Sequence, residues 1–375
     1  MKEISLYLHI PFCESKCFYC SFVSKRASER EKEKYITYLL KEIELHKNNE
    51  YLVKTVYIGG GTPSVLNESQ IERIFEKIKQ TFTISNDCEI TIEANPNSFT
   101  LDKARAMKKV GVNRISFGLQ SANDKLLKSI NRIHTKKDFI NAVNIAKRVG
   151  IENINADILI GLPKQQLKDV KSTLQLLMKL KIEHISCYTL ILEENTKLFE
   201  MVDKGNCKLI DEDKTLKYFD YTLKYLKKRK IYRYEVSNFA RAGKECLHNL
   251  CYWNLTNYLG LGLNSHSKID NLRFENFADF ESYYKELDLN NLPIKNKNVL
   301  TFDEMIEEYI MLGMRKSKGI NLDEFAQKFH YRLEIEKAKE IDFLLKNKFI
   351  EIVNSNLFAT EEGFKVLNQI IINLL

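Results

Sequence analysis

The sequence predicts an α/β protein: six strand–helix units forming a parallel sheet, followed by a smaller helical C-terminal domain. Three observations carry this. Up to about residue 190, short β-branched runs alternate with charged amphipathic stretches. The glycines, prolines and cysteines that punctuate the rhythm fall directly after the strand-like runs, where parallel sheets build their ligand loops. From about Val299 the alternation stops and helix follows helix.

Taken in order, strands are expected over 4–10, 55–58, 89–93, 114–119, 155–160 and 184–190, with helices such as 29–47, 68–81, 100–110 and 166–180 between them. Such repetition closes as a full eight-stranded barrel or stops as an open partial barrel, and both place loops at the C-terminal strand ends. There stand His9-Ile10-Pro11-Phe12-Cys13, Gly59-Gly60-Gly61-Thr62-Pro63, Glu93-Ala94-Asn95-Pro96, Gln120 and Gly161-Leu162-Pro163. A helix over 211–229 leads to a glycine-bearing stretch, 258–266, expected to close a first domain of residues 1–298. In a second domain, 299–375, helices near 302–316, 322–330 and 335–347 precede two short strands, 349–353 and 357–359, and a last helix from Thr360. That order resembles a winged helix. Its ten Lys and Arg against thirteen Asp and Glu fit a packing module and not a surface that reads nucleic acid.

Composition sets outer limits. A chain of 375 residues, 44% hydrophobic and 29% charged, is ordinary for a soluble protein, and no apolar run approaches the roughly 20 residues of a membrane span. Glu3 puts an acid where a signal peptide would be basic, so a cytoplasmic protein is expected. The net charge of +8 suits phosphates, carboxylates or nucleic acid without choosing among them.

The strongest local signal is Cys13-Glu14-Ser15-Lys16-Cys17-Phe18-Tyr19-Cys20 in the loop after the first strand. Three thiolates in one short loop can wrap a [4Fe–4S] cluster and leave one iron without a protein ligand, free for substrate. A zinc site completed by His9 or a remote cysteine is the structural alternative. Cys88, Cys187, Cys207, Cys246 and Cys251 are dispersed and read as small buried hydrophobes. The triple glycine lets backbone approach a ligand closely and offers N–H groups to a carboxylate. Glu93, ending the third strand, can oppose an amine or accept ribose hydroxyls.

The cysteine spacing, Tyr19 before the third cysteine and the barrel rhythm together resemble the radical S-adenosylmethionine superfamily, whose fold is a partial (β/α)6 barrel. Tyr7-Leu8-His9-Ile10-Pro11-Phe12-Cys13, Ile92-Glu93-Ala94-Asn95-Pro96, Ser116-Phe117-Gly118-Leu119-Gln120-Ser121, Asn131-Arg132 and Asp157-Ile158-Leu159-Ile160-Gly161-Leu162-Pro163 further resemble the oxygen-independent coproporphyrinogen III oxidase group, which includes the HemW-type heme chaperones. The resemblance implies that Cys13, Cys17 and Cys20 hold the cluster. It implies that Tyr7, Gly60 and Glu93 contact the cluster-bound S-adenosylmethionine, while Gly61, Thr62, Gln120, Arg132 and Asp157 match positions that hold a second S-adenosylmethionine in the oxidases.

Two departures separate the branches. The oxidases carry a fourth cysteine two residues beyond the third, where this chain has Phe22. The phrase His248-Asn249-Leu250-Cys251-Tyr252-Trp253 resembles one associated with heme binding in the chaperone branch. Read alone, His248 beside aromatics is a packing histidine; the resemblance implies that it is a heme ligand, with Cys251 and His266 as further candidates. The expected function is heme delivery, with heme as cargo; the alternatives are oxidative decarboxylation of coproporphyrinogen III and radical modification of RNA. The resemblance implies heme-receiving proteins, an electron donor for the cluster and a homodimer as partners, with membrane contact only through a recipient.

Overall fold

The computed structural model describes residues 1–47 and 50–375. Its barrel region opens with β1 (Lys2–Ile10), α1 (Glu29–Leu45), β2 (Tyr51–Gly60), α2 (Glu68–Thr81), β3 (Thr83–Ala94), α3 (Leu101–Val110) and β4 (Arg114–Gln120). It continues through α4 (Asp124–Ser129), α5 (Lys136–Arg148), β5 (Asn153–Ile160), α6 (Leu167–Lys179) and β6 (His184–Thr189). The helices form where apolar residues recur at helical spacing behind an N-cap. In α2, Asn67 and Gln70 make a reciprocal capping box, and Ile71, Ile74, Phe75 and Ile78 turn inward. The parallel strands are buried on both faces, so β1 reads Ile4, Leu6, Leu8 and Ile10 on one side with Ser5 and His9 also buried on the other.

Beyond β6 follow α7 (Lys197–Asp203), α8 (Glu212–Lys227), β7 (Tyr232–Arg233), β8 (Asn238–Ala240), α9 (Leu247–Trp253), β9 (Tyr258–Leu261), β10 (His266–Ile269), β11 (Leu272–Asn276), α10 (Phe280–Asp288) and β12 (Ile294–Val299). The strand order is β12-β11-β10-β9-β1-β2-β3-β4-β5-β6-β8-β7, so the sheet stays open as a partial barrel. The six expected strands form its parallel centre. The stretch over 258–266 does more than end this region: β9 pairs parallel to β1 and extends the sheet by one further parallel strand. β10 to β12 then continue it antiparallel.

The C-terminal module contains α11 (Phe302–Gly313), β13 (Ile320–Asn321), α12 (Leu322–Phe329), α13 (Leu333–Glu336), α14 (Ala338–Lys346), β14 (Ile350–Val353), β15 (Asn356–Ala359) and α15 (Leu367–Leu374). The helix expected over 335–347 is two helices meeting at Lys337, which has no side-chain cap. The last helix begins later than expected, after a 3-10 turn at Gly363–Val366. Phe325, Leu333, Leu344, Leu357 and Ile370 lie in a core separate from that of the barrel. The module meets the barrel through Val236, which packs against the module's core, through Arg233 over the Phe364 ring, and through polar contacts, Ser317 N–H to Tyr234 O at 3.0 Å and Lys365 to Asp220 at 3.3 Å among them.

Candidate cofactor-binding site

The loops after β1 and β2 are zipped together by backbone. Gly61 N–H donates to Ile10 O at 2.8 Å and Thr62 N–H to Phe12 O at 2.7 Å, which brings the triple glycine against the cysteine loop. Gly60 stands at φ +106°, and a Cβ there would lie 2.5 Å from the His9 ring. Glycine is therefore required on both backbone and packing grounds. Register shifts at the end of β4, where Gln120 takes φ 63°, and this turns its side chain region toward the same space.

The result is a cavity of about 350 Å³ lined by Cys13, Cys17, Cys20, Gly60, Gly61, Thr62, Glu93, Gln120, Arg132 and Asp157. Ten of the residues singled out from sequence thus converge on one pocket. Two of the thiols have positioned donors: Thr62 Oγ1 lies 3.4 Å from Cys13 Sγ, and Arg132 Nη1 lies 3.4 Å from Cys17 Sγ. Arg132 also donates to Gly118 O, and its buried Nε has no hydrogen-bond partner among the described residues. Among the described residues no group of three or more His, Cys, Asp or Glu is gathered to hold a metal ion. The three cysteines fit a cluster through their common lining, their free thiols and the donors aimed at them, since hydrogen bonds to the sulfurs stabilise and tune such a group.

Glu93 accepts from Tyr57 Oη at 2.8 Å and from Gly60 N–H at 3.2 Å. Burial nevertheless pushes its carboxyl up to about 7, and the charge of Asp157 adds to the rise. Asp157, accepting from Asn155 Nδ2 at 2.7 Å, is likewise raised by burial. A ligand that brings an ammonium or hydroxyl groups would relieve this, which is the chemistry S-adenosylmethionine presents.

Tyr7 differs from the expectation. It lines a second, deeper cavity of about 220 Å³ inside the barrel, with Glu93, Ser116, Asp157 and Tyr188 shared between the two spaces. Its hydroxyl lies 3.0 Å from His9 Nδ1. Arg114, Tyr188 and Asn155 line this deeper cavity too and were not singled out from sequence. Arg114 is fully buried, its Nε without a partner among the described residues; a lone Arg opening a strand carries no motif that would have marked it.

His248 lies outside this pocket and lines the deeper cavity. The helix α9 plugs the N-terminal end of the barrel, where the Glu89 carboxylate accepts from Leu247 N–H and His248 N–H at 3.1 Å each. The His248 side chain points inward and is 1% exposed. Nδ1 lies 2.7 Å from Thr55 Oγ1, Nε2 lies 2.9 Å from Tyr252 Oη, and the ring stacks on Tyr57 at 5.0 Å. Burial, reinforced by Arg114, pushes its pKa down to about 3. Both nitrogens are committed within the chain, so the imidazole has no lone pair to offer an iron in this conformation. Cys251 lies 2.7 Å from Ser5 Oγ, and His266 is at the surface beside Glu275 at 3.6 Å; neither faces the pocket.

Comparison with known proteins gives a consistent picture. Residues 7–177 match the radical SAM superfamily and residues 300–366 the HemN C-terminal domain. The chain is 33% identical to the heme chaperone HemW of Bacillus subtilis over 369 residues, covering 98% of this chain and 97% of that one. It is 30% identical to the bovine mitochondrial radical S-adenosyl methionine domain-containing protein 1 over 389 residues, covering all of this chain and 88% of that one. The solved structure of Escherichia coli coproporphyrinogen III oxidase, HemN, superposes with a TM-score of 0.87 at 22% identity, covering 100% of this chain and 90% of that one.

Proposed function

The chain belongs to the HemW family of the radical SAM superfamily, and from that premise we propose that it is a heme chaperone carrying a [4Fe–4S] cluster and S-adenosylmethionine and passing heme to haemoproteins. One observation carries the reading: similarity to proteins named heme chaperones runs over nearly the whole chain, both the barrel and the C-terminal module. Cys13, Cys17 and Cys20 would hold the cluster, with Thr62 and Arg132 donating to its sulfur ligands. Gly60 and Glu93 would receive the amino acid part of S-adenosylmethionine, and Gly61, Thr62, Gln120, Arg132 and Asp157 would bound the rest of the pocket. Tyr7 supports this pocket from the deeper cavity. When bound, the cluster and S-adenosylmethionine supply one-electron chemistry, drawn from an external electron donor.

The chain divides at residues 298 and 299 into the barrel with its extension and the C-terminal module. No helix among the described residues is long and apolar enough to cross a membrane. Action in the cytoplasm, with membrane contact only through a recipient, belongs to the proposal. A homodimer is the proposed assembly.

The oxidase is the competing reading, favoured by the shared fold. Phe22 stands where the oxidases have a fourth cysteine and is 66% exposed at the mouth of the pocket. The test is anaerobic incubation of the reconstituted protein with S-adenosylmethionine, a reductant, and either heme plus an apo-haemoprotein or coproporphyrinogen III. Heme transfer without protoporphyrinogen IX is expected. Multiple turnovers of coproporphyrinogen III, with matching 5′-deoxyadenosine, would make the protein an oxidase.

A further inference from the structure

The deeper cavity inside the barrel contains a cation for which the described residues supply no acceptor. Arg114 opens β4, lines this cavity and is 1% exposed. Its Nε has no hydrogen-bond partner, and no carboxylate lies within ion-pair distance of its guanidinium, among the described residues. A cation at this depth without a counter-charge or an acceptor is costly. Its charge is felt by Glu93, Asp157 and His248, all of which line the same space.

Neutral donors stand beside it. Ser116 Oγ accepts from Asn155 Nδ2 at 2.7 Å, which leaves its own proton uncommitted. The Asn249 amide lines the cavity with no side-chain hydrogen bond among the described residues. The rings of Tyr7, Tyr57, Tyr188 and Tyr252 complete the wall.

One guanidinium among neutral donors and aromatic rings suits a planar monoanion with a short carbon chain. The fork of Arg meets both oxygens of a carboxylate, and the rings cover the chain. A phosphate dianion fits less well, because Glu93 and Asp157 stand on the wall and like charges repel. Burial raises both of those carboxyls toward their neutral form, in which they donate to an anion instead of opposing it. Glu93, Ser116, Asp157 and Tyr188 are walls of the cofactor pocket as well, so an acid has a way in from that pocket.

We propose that the deeper cavity is a carboxylate-binding site, in which Arg114 takes a monocarboxylate bidentately and Ser116 and Asn249 donate to it. The site does not depend on the heme-carrying reading above. Two sources share its chemistry: a free short-chain acid, and the acid arm of a larger ligand seated beside the cavity. The propionate of a porphyrin is the arm that the heme-carrying reading supplies.

Saturation-transfer NMR titration of the full-length, cluster-reconstituted protein with sodium propionate tests the site. Propionate should bind, and its neutral isostere propionamide should bind about tenfold more weakly or worse. Arg114→Met should lower propionate affinity by about tenfold or more with unchanged far-UV circular dichroism. Ser116→Ala keeps the buried cation in place and decides the matter if the arginine variant does not fold; it should weaken propionate by about threefold or more. A parent that binds no propionate, equal binding of propionamide, or parental affinity in either folded variant would overturn the site. Displacement of propionate by hemin and not by hemin dimethyl ester would identify the acid arm of a larger ligand as the source. Propionate that stays bound under saturating hemin would identify a free acid. A parent that binds propionate and no hemin would keep the site and overturn the heme-carrying reading.

Discussion

At the scale of single residues, the chemistry of the pocket is controlled by how burial treats charge. Glu93 is held up to about 7 chiefly by burial, so its carboxylate form, the one that attracts an ammonium group, is populated only as pH rises through that value. Affinity for S-adenosylmethionine should therefore increase between pH 6 and 8 and level off above. Glu93→Gln should bind more weakly and lose that rise; isothermal titration at several pH values reads both effects. His248 gives a second expectation. With hydrogen bonds to Thr55 and Tyr252, its replacement by Ala should destabilise the fold by about 2–4 kcal/mol, the cost of a cavity plus two unpaired hydroxyls. Thermal unfolding of variant and parent would show it. The sequence made the cysteines, the triple glycine and Glu93 legible because each has a motif at a fixed offset from a strand. Arg114 and the inward turn of His248 were not legible, because burial of an isolated polar residue depends on what the far strands bring to it.

At the scale of elements, Glu42 fastens the first barrel helix to the extension. Lying fully buried on α1, it accepts from Gly262 N–H at 2.8 Å, from Asn276 Nδ2 at 2.6 Å and from the Tyr283 hydroxyl. Burial outweighs these donors and pushes its carboxyl up to about 7. The folded-state pKa is thus above that of an unfolded glutamate, about 4.3. Its contribution to stability is full below that value and is lost as pH rises through 7. Relative to Glu42→Gln, the parent should lose about 2–3 kcal/mol of unfolding free energy between pH 5 and 8, a difference that denaturant titrations of the pair at each pH would isolate. The six central strands were legible from their β-branched runs. The extension was not: β9 is four residues long, and β12 is almost wholly exposed, with Lys295 and Lys297 on its outer edge. An edge strand protected by charge carries no alternating apolar signal.

For the whole molecule, the apolar core of the barrel and that of the C-terminal module are separate, joined by polar contacts and by Val236 packing on the second core, and every residue lining the cofactor pocket belongs to the barrel. The cluster and heme should then be separable. Cys17→Ala should abolish the iron–sulfur absorbance of anaerobically purified protein, while its hemin affinity stays within about threefold of the parent; joint loss would mean that heme binds at the cluster pocket. The C-terminal module was visible in the sequence as a change of rhythm at Val299, but its docking through Ser317 and Lys365 was not, since single polar contacts leave no period to detect.

The pairing of Arg132 with Gly118 reaches beyond β4. A Cβ at position 118 would fall 2.2 Å from Arg132 Nη2, so the guanidinium occupies the volume that any other side chain there would claim. Because that atom is the far end of a flexible side chain, alanine at 118 would be met by a shift of the guanidinium and not by its loss. The shift would reach the hydrogen bond to Cys17, so a change on a strand would be felt at a cysteine of the loop after β1 without either residue being exchanged.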